Sequence, residues 1–322
     1  MSKVWDAVII GAGPAGASCA VWLRQLGFDP LLLEASDCVG GLAARNPFPD
    51  VWTVTSPNHT GVEVAQQIGR QVAAAGIDLW LNARVTAVRQ ALVQGRSVQD
   101  NSGPQPESER PGDGTAPAAL KVDVERPGLA SMQVPAKTLV IASGVIPRGL
   151  PGYEGQALHG VIVGPGDNIM STSFDGARVA ILGGGDNAFE NYAFVKQRQA
   201  VKVDLYARRV RAQRQFVAAV PPEDLHLGSV TVDPHARQVN GQSYDLILVF
   251  YGWQPNVGFL GDFALTLDDR GFIWTDPVTA QTSVPNVYAI GEVAQRMHPC
   301  VPTAMADGVV AAKSIEKLLA QD

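Results

Sequence analysis

Val4–Glu34 reads VWDAVIIGAGPAGASCAVWLRQLGFDPLLLE, and its order of residue types decides the fold. An apolar run, Ala7–Ile10, ends in Gly11-Ala12-Gly13-Pro14-Ala15-Gly16. An apolar-faced segment continues to Leu26, Gly27 stops it, and a second apolar run, Leu31–Leu33, closes on Glu34. That is strand, glycine turn, helix, strand and acid. Gly11 permits the tight turn, Gly13 lets backbone N–H groups approach a pyrophosphate, and Gly16 lets the helix lie close to the strand. The helix N-terminus, opened by Pro14 and Ala15, faces the phosphates. Glu34, followed by Ala35, comes about 20 residues on, where an acid accepts hydrogen bonds from a ribose diol. The stretch predicts a dinucleotide site.

A chain of 322 residues suggests about two domains, and 46% apolar content supports sizeable cores. A net charge of −6, with one local arginine cluster, leaves no nucleic-acid footprint. No apolar run approaches the roughly 18 residues of a membrane span. The first strand starts at Val4, leaving no room for a leader ahead of it. Cys19, Cys38 and Cys300 show neither Cys-x-x-Cys nor metal-ligand spacing, so no metal is expected. The expectation is a soluble, cytoplasmic protein.

Asp37–Leu42 is a glycine turn (Gly40, Gly41) suited to lie against a cofactor's phosphates or ribityl chain. Thr60–Ala75 has helical spacing, and Ile77–Leu81 is read as a third parallel strand. Arg84–Leu92, Ala119–Glu125 and Met132–Val134 predict a small antiparallel meander. Within it, Gln94–Pro117 is dense in Gly, Pro, Ser and charged residues and predicts a mobile surface insertion. Leu139–Gly144 is a buried strand ending in a turn, and Pro147–Gly155 is a linker.

A second nucleotide unit starts at Ala177. Strand Val179–Leu182 enters Gly183-Gly184-Gly185-Asp186-Asn187-Ala188, helix Phe189–Gln197 follows, then strand Val201–Tyr206. Ala188 replaces the third glycine, because a methyl still fits that helix–strand contact. No acid closes this unit. Arg208 and Arg209 stand there, with Arg211 and Arg214 beyond. Arginine accommodates a 2′-phosphate that an acid repels, so this half is expected to prefer NADPH to NADH. Gly252–Asn256 is a second crossover, Gly271–Trp274 and Val287–Ile290 are short strands, and Thr303–Leu319 is the final helix.

With these marks in place, the chain resembles the low-molecular-weight thioredoxin reductase family over nearly its whole length. The matching positions are Gly11–Gly16, Glu34, Gly40-Gly41-Leu42, Ala142-Ser143-Gly144 and Gly183–Ala188. Arg208-Arg209, Gly291-Glu292 and Pro302–Gly308 complete them. The resemblance implies an α/β architecture of two Rossmann-like, three-layer ββα dinucleotide-binding domains. An FAD domain (1–150 and 256–322) is split by an inserted NADPH domain (151–255). It also implies FAD contacts from Val85, Val301, Pro302 and Thr303, and a homodimer.

The departures matter. The family carries Cys-x-x-Cys-Asp before its second glycine motif, whereas Gly160–Asn168 here holds no cysteine. Without a dithiol close to the flavin, an internal two-electron thiol relay is absent. Asp167 falls near the family's proton-donating Asp, and Glu292 replaces its usual Asp. Cys300 and His298 precede the last helix, where the resemblance puts the flavin edge and where a thiol gains reactivity from the helix N-terminus.

The leading expectation is an FAD-containing NADPH oxidoreductase that hands electrons straight to a small electron-transfer protein or small molecule. The resemblance here is to the thioredoxin-reductase-type ferredoxin/flavodoxin–NADP reductases, which lack Cys-x-x-Cys. The alternatives are thiol/disulfide chemistry at Cys300, or a flavin-binding redox sensor without turnover.

Overall fold

The computed structural model describes residues 3–90 and 120–320. β1 (Trp5–Ile10) leads through the glycine turn into α1 (Pro14–Gln25), and β2 (Pro30–Leu33) follows. α2 (Gly61–Ala74) precedes β3 (Asp78–Trp80), β4 (Arg84–Gln90), β5 (Leu120–Glu125) and β6 (Met132–Ile141). Then come β7 (Val145–Pro147), β8 (Val161–Val163), a single turn α3 (Asp167–Met170), β9 (Arg178–Leu182), α4 (Asp186–Lys196) and β10 (Lys202–Ala207). The short elements α5 (Arg214–Val217), β11 (Leu225–Leu227), β12 (Val232–Asp233), β13 (Gln238–Val239) and β14 (Gln242–Ser243) follow. β15 (Leu246–Val249), β16 (Trp253–Pro255), β17 (Val287–Ala289) and α6 (Val301–Leu319) complete the chain. The insertion expected at Gln94–Pro117 lies outside the described residues.

Contacts divide the chain into two units. The first comprises Met1–Gly41, Ala65–Ser143 and Val257–Asp322, and the second comprises Leu42–Val64 and Gly144–Asn256. Residues 42–64, read from the sequence as part of the first domain, therefore group with the second unit.

In the first unit the sheet order is β3-β2-β1-β6-β5-β4, with β17 also on β6. β1 runs parallel to both β2 and β6. A strand inside a parallel sheet is covered on both faces, which is why Ala7, Val8 and Ile9 are all apolar and fully buried. α1 ends as its sequence dictates. Gly27 takes φ +89°, its N–H reaches the Arg24 carbonyl at 3.1 Å, and the Phe28 N–H reaches Leu23 at 3.0 Å. These two bonds form a Schellman motif, which needs a residue that accepts positive φ.

Met132–Val134 and Leu139–Ile141, expected as separate strands, are one strand, β6. Pro135 falls between the two expected strands. It sits where β6 pairs only with β5, because pairing with β1 begins at Ala136. A missing N–H costs nothing on the unpaired side of a strand. The strand expected at Gly271–Trp274 is absent among the described residues; only an isolated bridge joins Leu267 and Ile273.

In the second unit the sheet order is β11-β10-β9-β15-β8, all parallel. Phe174, Phe189, Tyr192 and Val195 fill one face, and Tyr206, Tyr244 and Val249 the other. Asp204, 1% exposed, is held beneath that second face by Tyr244 Oη at 2.7 Å, His226 Nε2 at 2.9 Å and Lys202 Nζ at 2.8 Å. β16, within the crossover expected at Gly252–Asn256, pairs as an antiparallel ribbon with β7, which ends at Pro147 where the expected linker begins. Among the described residues no helix is long and apolar enough to cross a membrane.

Candidate functional site

The first glycine turn is packed from both sides. A Cβ on Gly11, at φ +105°, would lie 2.4 Å from the Ala142 carbonyl oxygen, and one on Gly16 would lie 1.9 Å from the Gly11 oxygen. Both positions are glycine for internal reasons. Gly13 is different. Its backbone is extended and ordinary (φ −68°, ψ −179°), and its nearest neighbour to a Cβ would be Gly41 Cα at 3.9 Å. A methyl would fit there in ordinary contact with Gly41, so packing does not require glycine at this N-terminus of α1, the end of a helix that favours a phosphate.

Glu34 sits at this turn as its spacing predicted. Its Oε2 accepts from the Ala12 N–H at 2.7 Å, and Oε1 accepts from the Ser36 N–H and Oγ at 2.8 Å each. A carboxylate has about four acceptor sites, so the anchored group retains capacity for a diol. Ala35 lies between these two anchors. Val85 is buried in the first core, at a register shift of β4 against β5. Ala142 donates to the Ile10 carbonyl at 2.8 Å, which brings Ala142 and Ser143 to the end of β1. Leu42 and Gly144 begin the stretches that group with the second unit.

On α6 the predicted start at Thr303 moves forward to Val301, with Pro302 in the first turn and Cys300 as N-cap. Thr303 Oγ1 donates to the His298 carbonyl at 2.6 Å and accepts from the Cys300 N–H at 3.3 Å, with Cys300 Sγ 3.2 Å away. The cysteine therefore caps the helix and is partly exposed, whereas the His298 side chain is exposed. Cys19 is fully buried, which raises its thiol pKa, and Cys38 is exposed. Gly291 takes φ +70°, and burial raises the pKa of the adjacent Glu292 carboxyl.

The second turn repeats the logic in the other unit. A Cβ on Gly183 would lie 2.5 Å from the Phe250 carbonyl oxygen, and one on Gly184 2.0 Å from that of Arg209. Gly185 caps α4 with φ −101°, and nothing lies within 4 Å of its missing Cβ. α4 starts at Asp186 rather than Phe189, so Asp186, Asn187 and the fully buried Ala188 form its first turn. The Asp186 carboxylate accepts from Gln213 N–H at 2.8 Å and Gln213 Nε2 at 2.9 Å. The Gly184 carbonyl accepts from Ala212 N–H at 3.0 Å and Arg211 N–H at 2.6 Å. These bonds fold the Ala207–Gln213 segment over the glycine turn and set the exposed Arg208 and Arg209 beside it. Asp167 opens α3, away in sequence from either glycine turn.

Three groups here escaped the sequence reading. Glu190, one turn beyond Asp186 on α4, has its carboxyl pushed up to about 7 by burial and by the Asp186 charge. Arg296 and Asp307 form a buried pair at 3.4 Å beside Gly291. Only the i, i+4 spacing of Asp186 and Glu190 was visible in the sequence. Among the described residues no cluster of three or more His, Cys, Asp or Glu is placed to hold a metal.

Comparison with known proteins agrees with this layout. A family model described as pyridine nucleotide-disulphide oxidoreductase matches residues 5–308. A ferredoxin–NADP reductase of Limosilactobacillus fermentum is 32% identical over 319 residues, covering 91% of this chain and 86% of that protein. One from Gluconacetobacter diazotrophicus is 26% identical over 355 residues, covering 98% and 92%. Among solved structures, the fold is similar to that of T. acidophilum thioredoxin reductase, at TM-score 0.76 and 21% identity over 99% of this chain and 100% of that one. The bacillithiol disulfide reductase Bdr of Bacillus cereus gives TM-score 0.74 at 16% identity, over 98% and 100%.

Proposed function

The chain belongs to the pyridine nucleotide-disulphide oxidoreductase family, and from that premise we propose an FAD-dependent, NADPH-oxidising reductase that passes electrons to an external acceptor without an internal dithiol relay. One observation carries the reading. Gly13 and Gly185 occupy equivalent places in two strand–turn–helix units, each with an ordinary backbone and room for a Cβ. A ligand approaching both backbones accounts for two glycines that packing does not require.

In this reading Gly11, Gly13, Pro14, Ala15, Gly16 and Gly41 hold the FAD pyrophosphate at the N-terminus of α1. Glu34, fixed by Ala12 and Ser36, accepts from the adenosine ribose. The N-terminus of α6, Val301–Thr303, stabilises negative charge on the cofactor through the helix dipole. Gly183–Ala188 hold the second dinucleotide, and Arg208 and Arg209 take its 2′-phosphate. FAD, when bound, supplies the ability to receive an electron pair and release it together or singly.

The three cysteines of the chain form no Cys-x-x-Cys, which favours direct transfer to the acceptor. The relatives named ferredoxin–NADP reductase support a ferredoxin-type protein as that acceptor. We place the enzyme in the cytoplasm as a homodimer, on the resemblance of its motifs. The test is an anaerobic titration of the purified protein with NADPH and then NADH, following flavin absorbance. Bleaching by NADPH in preference to NADH is expected. No bleaching by either nucleotide overturns the reading.

A further inference from the structure

The buried pair Arg296–Asp307 lies behind the Gly291–Glu292 turn and belongs to no role described so far. Asp307 is on α6, 2% exposed. Its Oδ2 accepts from the Gly291 N–H at 3.0 Å, and its Oδ1 faces Arg296 Nη1 at 3.4 Å. The Arg296 side chain is only 11% exposed, and its Nη2 donates to the Pro277 carbonyl. Arg296 thereby ties three separate stretches together: the Asp276–Thr279 loop, the Gly291 turn and α6.

Two details show that this is more than a stray ion pair. Gly291 is held at φ +70°, with Ala15 Cβ only 2.9 Å from where its own Cβ would be. The turn therefore lies close against the first residues of α1, where only glycine fits. Its single N–H is satisfied by Asp307, a residue of a helix whose own first turn starts six residues earlier, at Val301. The pair also costs something to keep. Asp307 Oδ1 and Arg296 Nε and Nη1 are buried without a hydrogen-bond partner, and a buried group in that condition is expensive. A pair of apolar residues would fill the same space at less cost.

The geometry points to Asp307 and Arg296 as positioning residues that lock the Gly291–Glu292 turn against α1 and α6, and so retain FAD. This rests on the FAD reading above. Asp307 fixes the turn through the Gly291 N–H, and Arg296 neutralises Asp307 while pinning it to the Pro277 carbonyl. Neither residue needs to touch the cofactor. Loss of the lock lets the turn move and raises the rate at which FAD leaves.

The experiment dilutes the FAD-loaded protein and follows release by the fluorescence of free FAD, with far-UV circular dichroism reporting the fold. The parent is compared with Asp307→Ala, Asp307→Asn and Arg296→Met. Asp307→Ala is expected to weaken FAD binding at least about tenfold, the loss of one hydrogen bond to a charged group. Asp307→Asn keeps an acceptor for Gly291 and recovers most of that loss. Arg296→Met weakens FAD with circular dichroism unchanged. A merely structural pair predicts a lower unfolding temperature with FAD affinity within about twofold of the parent, well under the effect of one hydrogen bond. That result overturns the lock. Should Asp307→Ala fail to fold, Asp307→Asn and Arg296→Met decide by the same criterion. A parent that binds no FAD overturns the cofactor reading as well, so the two failures are distinct.

Discussion

Gly308→Ala adds one methyl where α6 packs closely against α1. The new Cβ would stand 2.5 Å from the Ala15 carbonyl oxygen, 2.7 Å from the Cys19 nitrogen and 2.8 Å from Ser18 Cβ. Two of these atoms are α1 backbone, so no rotamer change relieves the clash. The helices must part by about 1 Å to restore ordinary contact, in an interface packed like a crystal. Overpacking of this kind costs about 1–3 kcal/mol. Parting also weakens the bond from Ser18 Oγ to the Met305 carbonyl, now 2.8 Å, worth a further ~1 kcal/mol. Alanine recovers about 1 kcal/mol of helix propensity over glycine. The net loss is about 2 kcal/mol, or a fall in unfolding temperature of roughly 4–8 °C. Gly258→Ala is the control, since nothing lies within 4 Å of its missing Cβ and its φ is not positive. Thermal unfolding by far-UV circular dichroism separates the two. A Gly308→Ala protein melting within about 1 °C of the parent, or no lower than Gly258→Ala, refutes the packing reasoning.

Gly185→Ala is expected to leave thermal stability unchanged while raising KM for NADPH at least about tenfold, because the methyl enters space reserved for phosphate; steady-state kinetics beside a melting curve checks it. Replacing Arg208 and Arg209 together by Ala should weaken NADPH binding by about 2–4 kcal/mol and leave NADH nearly untouched, as isothermal titration with each nucleotide will show. Glu190 has its folded pKa raised above the unfolded value, so its neutral form stabilises the fold and that contribution is lost as pH rises from about 4.5 through about 7. Glu190→Gln should therefore be more stable than the parent at pH 8, by on the order of 1 kcal/mol after allowance for solvent screening, and equal to it near pH 4, in paired thermal melts. Cys300→Ser should keep NADPH-driven reduction of the flavin and of an external acceptor within about threefold of the parent; loss of turnover with flavin reduction intact would instead favour thiol chemistry.

The glycine turns were legible because each constrains the backbone locally. Gly11, Gly16, Gly27 and Gly183 all sit where a side chain collides or φ is positive, and Glu34 lies where the spacing put it. β6 was not legible as one strand, since Pro135 reads as a breaker unless its unpaired side is known. The Arg296–Asp307 pair was hidden for another reason. Its partners Pro277, Gly291 and Asp307 are spread over thirty-one positions with no periodicity, and only tertiary folding brings them together. The start of α4 was placed late because Asp186 and Asn187 have poor helix propensity, whereas they form the first turn after the Gly185 cap.

The double allegiance of β6 has a consequence for the growing chain. Its first half pairs with β5 nearby in sequence, but its second half lies between β1 and β17. Leu139–Ile141 therefore keep one open edge until Val287–Ala289 have been synthesised, and an open apolar edge invites pairing with other chains. Most of the second unit, Gly144–Asn256, is complete before that strand arrives. The first unit begins the chain and is the last to close, so a ribosome stalled shortly before residue 287 leaves an intact inner unit joined to an aggregation-prone outer one.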